Sequence, residues 1–148
     1  ADSYIKYQSR SEKIEWTDAK PYIDSKGRTM VPLRDVADGM EIDVKWNANA
    51  KTAVFTGVTF YYEDLGQTHC DTTVEFKLGS NKVKVKYKDV FGKVVNKTIT
   101  MDTALVIKDG RVYAPIKYLA NAFARDAKWD GTKREISLQA ADFESPFE

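Results

Sequence analysis

The single histidine of the chain, His69, stands beside its single cysteine, Cys70, and an aspartate, Asp71. The three carry an imidazole, a thiol and a carboxylate, the groups from which metal sites and nucleophilic pairs are built. Their spacing argues against both uses. Adjacent residues seldom converge on one metal, and no second cysteine or histidine exists to complete a four-ligand zinc site. Neighbours in a strand point to opposite faces, and no G-x-S-x-G or comparable nucleophile signature is present. No catalytic residue, metal ligand or cofactor is therefore assigned. With 22 acidic residues, some pair will always fit glycosidase spacing, so a small extracellular hydrolase remains only the weakest alternative.

The same stretch holds the better candidate for binding. In "TFYYEDLGQTHCDTT", residues 59–73, the aromatics Phe60, Tyr61 and Tyr62 lie beside the polar Glu63, Asp64 and Gln67. Aromatic faces next to carboxylates and amides stack and hydrogen-bond sugars, and tyrosines are favoured where proteins meet. These six residues are the candidate ligand-binding set. The competing reading turns Phe60 and Tyr62 into the core and leaves Tyr61 outside. Cys70 reads as a small buried hydrophobe, with no partner in the chain for a disulfide.

Charge removes other classes. The 23 basic and 22 acidic residues nearly cancel and form no clustered basic face, so a nucleic-acid partner is not expected. Apolar runs are only a few residues long, which excludes a membrane-spanning helix. The chain begins at Ala1, as a secreted protein does once its signal peptide is removed.

The elements that position these residues come from a phrase written twice. "GRTMVPLRDVADGM" at Gly27–Met40 returns as "GRVYAPIKYLANAF" at Gly110–Phe123, 83 residues on. Without a gap, the pairs Arg28/Arg111, Pro32/Pro115, Ala37/Ala120 and Trp46/Trp129 are identical, and Arg34/Lys117 keeps its charge. Internal duplication is the reading. Turn residues before each glycine predict a tight hairpin. Pro32 and Pro115 are placed at the first position of a helix. Leu33, Val36, Ala37 and Met40, and likewise Ile116, Leu119, Ala120 and Phe123, follow an i, i+3, i+4, i+7 stripe that faces a core. Arg34, Asp35 and Asp38 read as the solvated side. A half-buried strand then ends at Trp46 or Trp129.

The unit reaches upstream to 4–8 and 83–88, so each half reads strand, strand, short strand, hairpin strand, helix, strand, strand. Between the halves, "VEFKLGSNKVKVKY" predicts a hairpin whose outer row includes Lys82, Lys84, Lys86 and Lys88, a solvated face. The expected fold is α+β: duplicated antiparallel β-sheet units, each with one short α-helix packed on the sheet. A single globular domain at 1–139 is expected, with repeats at about 4–56 and 83–138 joined by 57–82. Residues 140–148 read as an acidic tail or linker.

These residues resemble the recurring unit of the copper amine oxidase N-terminal-like domain, a stalk module of secreted and cell-surface bacterial proteins. The match consists of the G-R-x-x-x-P turn and helix start, the apolar stripe and the K-W-[ND] strand end, over residues 13–56 and 83–138. The resemblance implies an extracellular, non-catalytic accessory role and carries no functional residue across. Copper chemistry does not follow, because such a centre takes three histidines and this chain has one. The favoured function is a binding or scaffold module acting through protein–protein contact, including inhibition of an extracellular enzyme. Binding of a carbohydrate or cell-wall polymer through 59–73 is the alternative. The repeated phrase is read as packing, which leaves 59–73 and the tail as the places to look for function.

Overall fold

Two short strands that each run into a proline form the middle of the fold. A computed structural model describes residues 3–6, 11–16, 19–63, 66–89 and 91–140, and their side chains except those of 3, 11, 12, 60–63, 66–69, 139 and 140. Strand β4 (Thr29–Pro32) lies antiparallel to β11 (Arg111–Pro115), pairing Pro32 with Tyr113, Val31 with Ala114 and Met30 with Pro115. Val31 and Ala114 are counterparts in the two phrases, so the register reads the same from either strand. β3 (Tyr22–Ile23) flanks β4 and β10 (Val106–Lys108) flanks β11, giving a sheet of order β10-β11-β4-β3. One face buries Val31 and Ala114 in the main core. The other carries a small cluster of Met30, Tyr113 and Ala19, with the Tyr22 ring edge-on to Tyr113 at 5.0 Å.

Each central strand turns directly into a helix: α1 (Leu33–Gly39) after β4 and α2 (Ile116–Ala122) after β11. The prolines lie one residue earlier than the sequence predicts. Pro32 (φ −70°, ψ 113°) and Pro115 (φ −60°, ψ 137°) are extended and precede the first helical residue. Their fixed φ suits a strand as well as a helix. β3 pairs only with Thr29 and Met30, so Pro32 sits beyond its reach, where a missing N–H costs the ladder least.

The predicted stripes are buried: Leu33, Val36 and Ala37 are fully so, as are Leu119 and Ala120, while Met40 is half-buried. Asp35 departs from expectation, being 3% exposed and not solvated. The cause is that α1 is enclosed on several sides, meeting β4, β5 and β11 as well as β2, so more than one stripe is covered. Tyr118, its counterpart on α2, is buried for the same reason. Both helices are followed by a non-glycine residue in the left-handed region, Glu41 (φ 60°) and Ala124 (φ 59°). The Ile42 N–H then bonds back to the Ala37 carbonyl at 2.9 Å, closing the helix end.

The remaining strands form two outer sheets. One has the order β12-β13-β1-β2, from β12 (Arg125–Asp130), β13 (Glu135–Ala140), β1 (Ser3–Lys6) and β2 (Ser11–Ile14). The other has the order β5-β6-β7-β8-β9, from β5 (Asp43–Asn47), β6 (Thr52–Glu63), β7 (Gly66–Lys77), β8 (Lys82–Lys88) and β9 (Val94–Thr100). The same order of elements, strand-strand-strand-strand-helix-strand-strand, thus runs from β1 to β6 and again from β8 to β13. Each outer sheet joins the closing hairpin of one run to the opening hairpin of the other. In the first, β13 and β1 pair directly and parallel. In the second, β7 is inserted between β6 and β8. Residues 57–82, expected to join the halves, therefore supply the outer part of β6 and the central strand of the larger sheet.

The main core draws on both runs, including Ile5, Leu33 and Phe55 from the first and Val83, Leu119 and Ile136 from the second. Phe55 and Phe76 meet edge to face, centroids 5.4 Å apart. The predicted β7–β8 face is buried at Val74, Phe76, Val83, Val85 and Tyr87, with the lysine row exposed and Leu78 half-buried. Fully burying side chains of this size contributes roughly 1.5–3 kcal/mol each. Both helices are only seven residues long, and no helix among the described residues is long and apolar enough to cross a membrane.

Two substitutions test this packing by chemical denaturation. A Cβ on Gly57 would stand 3.1 Å from a Phe123 ring carbon and 3.2 Å from Ile42, so Gly57→Val is expected to cost about 1–3 kcal/mol. Glu41→Gly relieves a left-handed residue at an exposed helix end and is expected to raise stability by about 1 kcal/mol. An unchanged midpoint in either variant would contradict the local packing or strain described.

Candidate functional site

The expected site on 59–73 lies on a two-stranded ribbon. β6 and β7 pair without interruption from Thr52↔Lys77 to Glu63↔Gly66. β5 stays with β6 only through Thr56, and β8 stays with β7 only back to Thr72. Among the described strands, residues 57–63 and 66–71 are therefore paired only with each other. Phe60 stands opposite His69, Tyr61 opposite Thr68, Tyr62 opposite Gln67 and Glu63 opposite Gly66. Asp64 lies outside the described residues.

At the root of the ribbon, the Thr72 hydroxyl donates to the Cys70 carbonyl at 3.1 Å, which leaves Thr59 as donor across the 2.6 Å contact to Thr72. Cys70 is a buried cysteine in the main core. Among the described residues, no three of His, Cys, Asp and Glu are grouped to hold a metal.

The sequence reading missed a second feature, which lies on the repeated phrase. Pro32, Arg34, Val44 and Trp46 of the first run face Arg111 and Val112 of the second across a cleft of about 490 Å³. Their counterparts Pro115, Lys117, Ala127 and Trp129 face Arg28 and Thr29 across a smaller cleft of about 280 Å³. Each cleft is made by the helix start and closing strand of one run and the central hairpin of the other. The β4–β11 pairing brings these pieces together. The signal was present as the repeated Arg, Pro and Trp, but residues from distant strands gave no hint of convergence. Trp46, expected to anchor a half-buried strand, is 38% exposed and forms one wall.

The clefts differ in electrostatics. Behind Arg28 of the smaller one, Asp24 accepts the backbone N–H groups of Lys26 and Arg28 on Oδ1 and the Arg28 Nε–H on Oδ2, each at 2.9 Å. Arg28 also lies 3.8 Å from the Asp102 carboxylate. The Tyr118 hydroxyl accepts the Asp102 N–H and donates to its Oδ1, both at 3.0 Å. At the larger cleft, Lys108 stands opposite Arg111 as Asp24 stands opposite Arg28, and Asp35 takes the position of Tyr118. The larger cleft is lined by Ile107, 49% exposed, and by the buried carboxylate of Asp35.

The charge of Asp24 has a testable signature. Backbone donation from Arg28, aided by Lys26 and by the Arg28 side chain against some desolvation, holds its carboxyl below the ordinary value. The folded pKa is the lower one, so its stabilisation is full above pH ~4 and fades as pH falls through the lowered value. Asp24→Asn is expected to melt below the wild type at pH 7, with the gap closing under acid. A gap that does not change with pH would rule out the charge as its cause.

Comparisons bear on what such a site serves. The model of the copper amine oxidase N-terminal domain matches residues 9–138. That domain is non-catalytic. Comparison with curated proteins and with solved structures gives no match. The name implies copper, but the single histidine and the absence of a ligand cluster among the described residues do not fit a copper centre. With the family model covering most of the length and the repeated phrase inside it, the chain belongs to the copper amine oxidase N-terminal domain family.

Proposed function

We propose that this chain is a non-catalytic binding or scaffold module of a secreted or cell-surface bacterial protein, acting through contact with another protein, including restraint of an extracellular enzyme. The observation that carries the reading is the ribbon. Residues 57–63 and 66–71 have no third strand among those described, so their outer edges offer backbone N–H and C=O groups to a partner strand. An open edge of this kind is a template for strand addition, with alternate side chains supplying specificity. The candidate residues Phe60, Tyr61, Tyr62, Glu63 and Gln67 all lie on it. A two-stranded ribbon is marginal by itself in water, and a partner strand would stabilise it.

We also take the two runs of elements as copies of one unit, closed into a single domain over 1–139. The shared core and the symmetric β4–β11 register support this, since a unit of about 45 residues buries too little to stand alone.

The test is capture from a secreted-protein fraction by the wild type and by Tyr61→Ala/Tyr62→Ala, with melting followed in parallel. The expected result is a defined partner retained by the wild type and lost by the variant at unchanged melting temperature. A large melting shift would make the rings structural. Retention on insoluble cell wall with no protein captured would replace the reading with polymer binding.

A further inference from the structure

A nearly neutral composition conceals an uneven distribution of charge on the five-stranded sheet. Lys82, Lys84, Lys86 and Lys88 are all exposed on the outer face of β8, at alternate positions roughly 6.5–7 Å apart. A lysine row ordinarily guards the edge of a sheet. β8 has no edge to guard, since β7 pairs with it on one side and β9 on the other. The outer strand β9 sets Val94, Asn96, Thr98 and Thr100 opposite those lysines and contributes no charge of its own to the row. Like charges at this spacing repel, and edge protection does not account for keeping them together.

At the start of the row the surface becomes concave. Lys51, Lys77, Lys82 and Lys84 line a cavity of about 470 Å³ with Ser80 and one carboxylate, Glu75. Glu75 stands opposite Lys84 in the ladder, but neither forms an ion pair among the described residues, and the same holds for Lys51, Lys77, Lys86 and Lys88. The Lys82 Nζ donates to the Thr100 hydroxyl at 2.9 Å and keeps further N–H groups for another acceptor. Every basic side chain here is a lysine, for residues 43–100 contain no arginine. A planar carboxylate is matched by a guanidinium fork, whereas several ammonium groups converging as point charges suit a phosphate, whose oxygens face several ways.

We infer that this face binds a linear phosphate-bearing polymer that carries no bases. The cavity receives one phosphate among Lys51, Lys77 and Lys82, and the chain continues past Lys84, Lys86 and Lys88 along roughly 20 Å of β8. Charge complementarity favours this occupant, since four ammonium groups meet one carboxylate in the cavity and the rest of the row is cationic. Nucleic acid fits less well, because the rows flanking the lysines on β7 and β9 hold no aromatic ring on which bases stack. The surface is separate from the outer ribbon and goes beyond contact with a protein, giving the module a second kind of attachment.

The experiment titrates the whole chain, labelled with ¹⁵N, with medium-chain inorganic polyphosphate. The amides of Ser80, Lys84 and Lys86 are expected to shift in a saturable way. Affinity is expected to fall more than about tenfold as salt rises from about 50 to about 200 mM, because binding releases counterions. Lys84→Gln/Lys86→Gln is expected to weaken binding about tenfold or more at an unchanged melting temperature, since both side chains are exposed. Lys26→Gln/Lys133→Gln removes the same charge from exposed turns away from this face and is expected to bind as the wild type does.

Equal losses in the two double variants would reduce the effect to net charge and overturn the inference, as would the absence of saturable shifts. Tighter binding of oligothymidylate, poly-glutamate or phosphatidylglycerol vesicles would overturn it in favour of that other partner. Tyr61→Ala/Tyr62→Ala is expected to leave polyphosphate binding unchanged, so this result and the capture of a protein by the ribbon stand or fall separately.

Discussion

The antiparallel pairing of β4 with β11, centred on Val31 and Ala114, is the constraint on which the other elements depend. Each of these strands continues into a helix after its proline, so fixing the strand register fixes where both helices start. The helices in turn sit between the central pair and the outer sheets, α1 against β2 and β5, α2 against β8 and β12. Small or β-branched side chains at the crossing let the two strands and both helix starts approach, and both residues are fully buried. A shift of one residue would put Met30 and Tyr113 into the main core and turn Val31 and Ala114 out of it.

From that centre the chain exchanges hairpins. Each run opens in one outer sheet and closes in the other, so neither run can bury its apolar stripe without its counterpart. The two joints are solved differently. Between β13 and β1 the sheet closes by direct parallel pairing, whereas between β6 and β8 the chain must itself pass, and β7 fills the gap as an antiparallel neighbour to both. Making β7 twelve residues long carries it past the end of β8, which is why the ribbon exists. The feature read as functional is thus a geometric by-product of the joint.

The clefts arise from the same exchange. Each is bounded by the helix start of one run and the turn of the other, so repeating the sequence repeats the cleft. The two clefts differ at the turn. Asp24 closes over Arg28 across the three residues Ser25–Gly27, while across the two-residue turn at Asp109-Gly110 Arg111 has Lys108 opposite it. Asp35 in place of Tyr118 completes the change, moving a carboxylate from the hairpin side of the cleft to the helix side.

Much of this was legible without coordinates. The apolar stripes Leu33-Val36-Ala37 and Ile116-Leu119-Ala120, the hairpin of β7 and β8 and the order of elements follow from periods of 3.6 and 2 that depend only on neighbouring residues. The single histidine argued against a copper centre, because ligand count is a property of composition. What the sequence could not supply was anything set by residues far apart. It misplaced the prolines by one position, because strand and helix accept the same φ. It put Asp35 in solvent, because a helix pattern does not reveal how many sides will be covered. It took Arg28, Arg111, Trp46 and Trp129 as packing, because the strand pairing that gathers them spans more than eighty residues. Local periodicity is written in the chain; which faces are enclosed, and which distant side chains share a cleft, is decided only when the two runs trade hairpins around one buried pair.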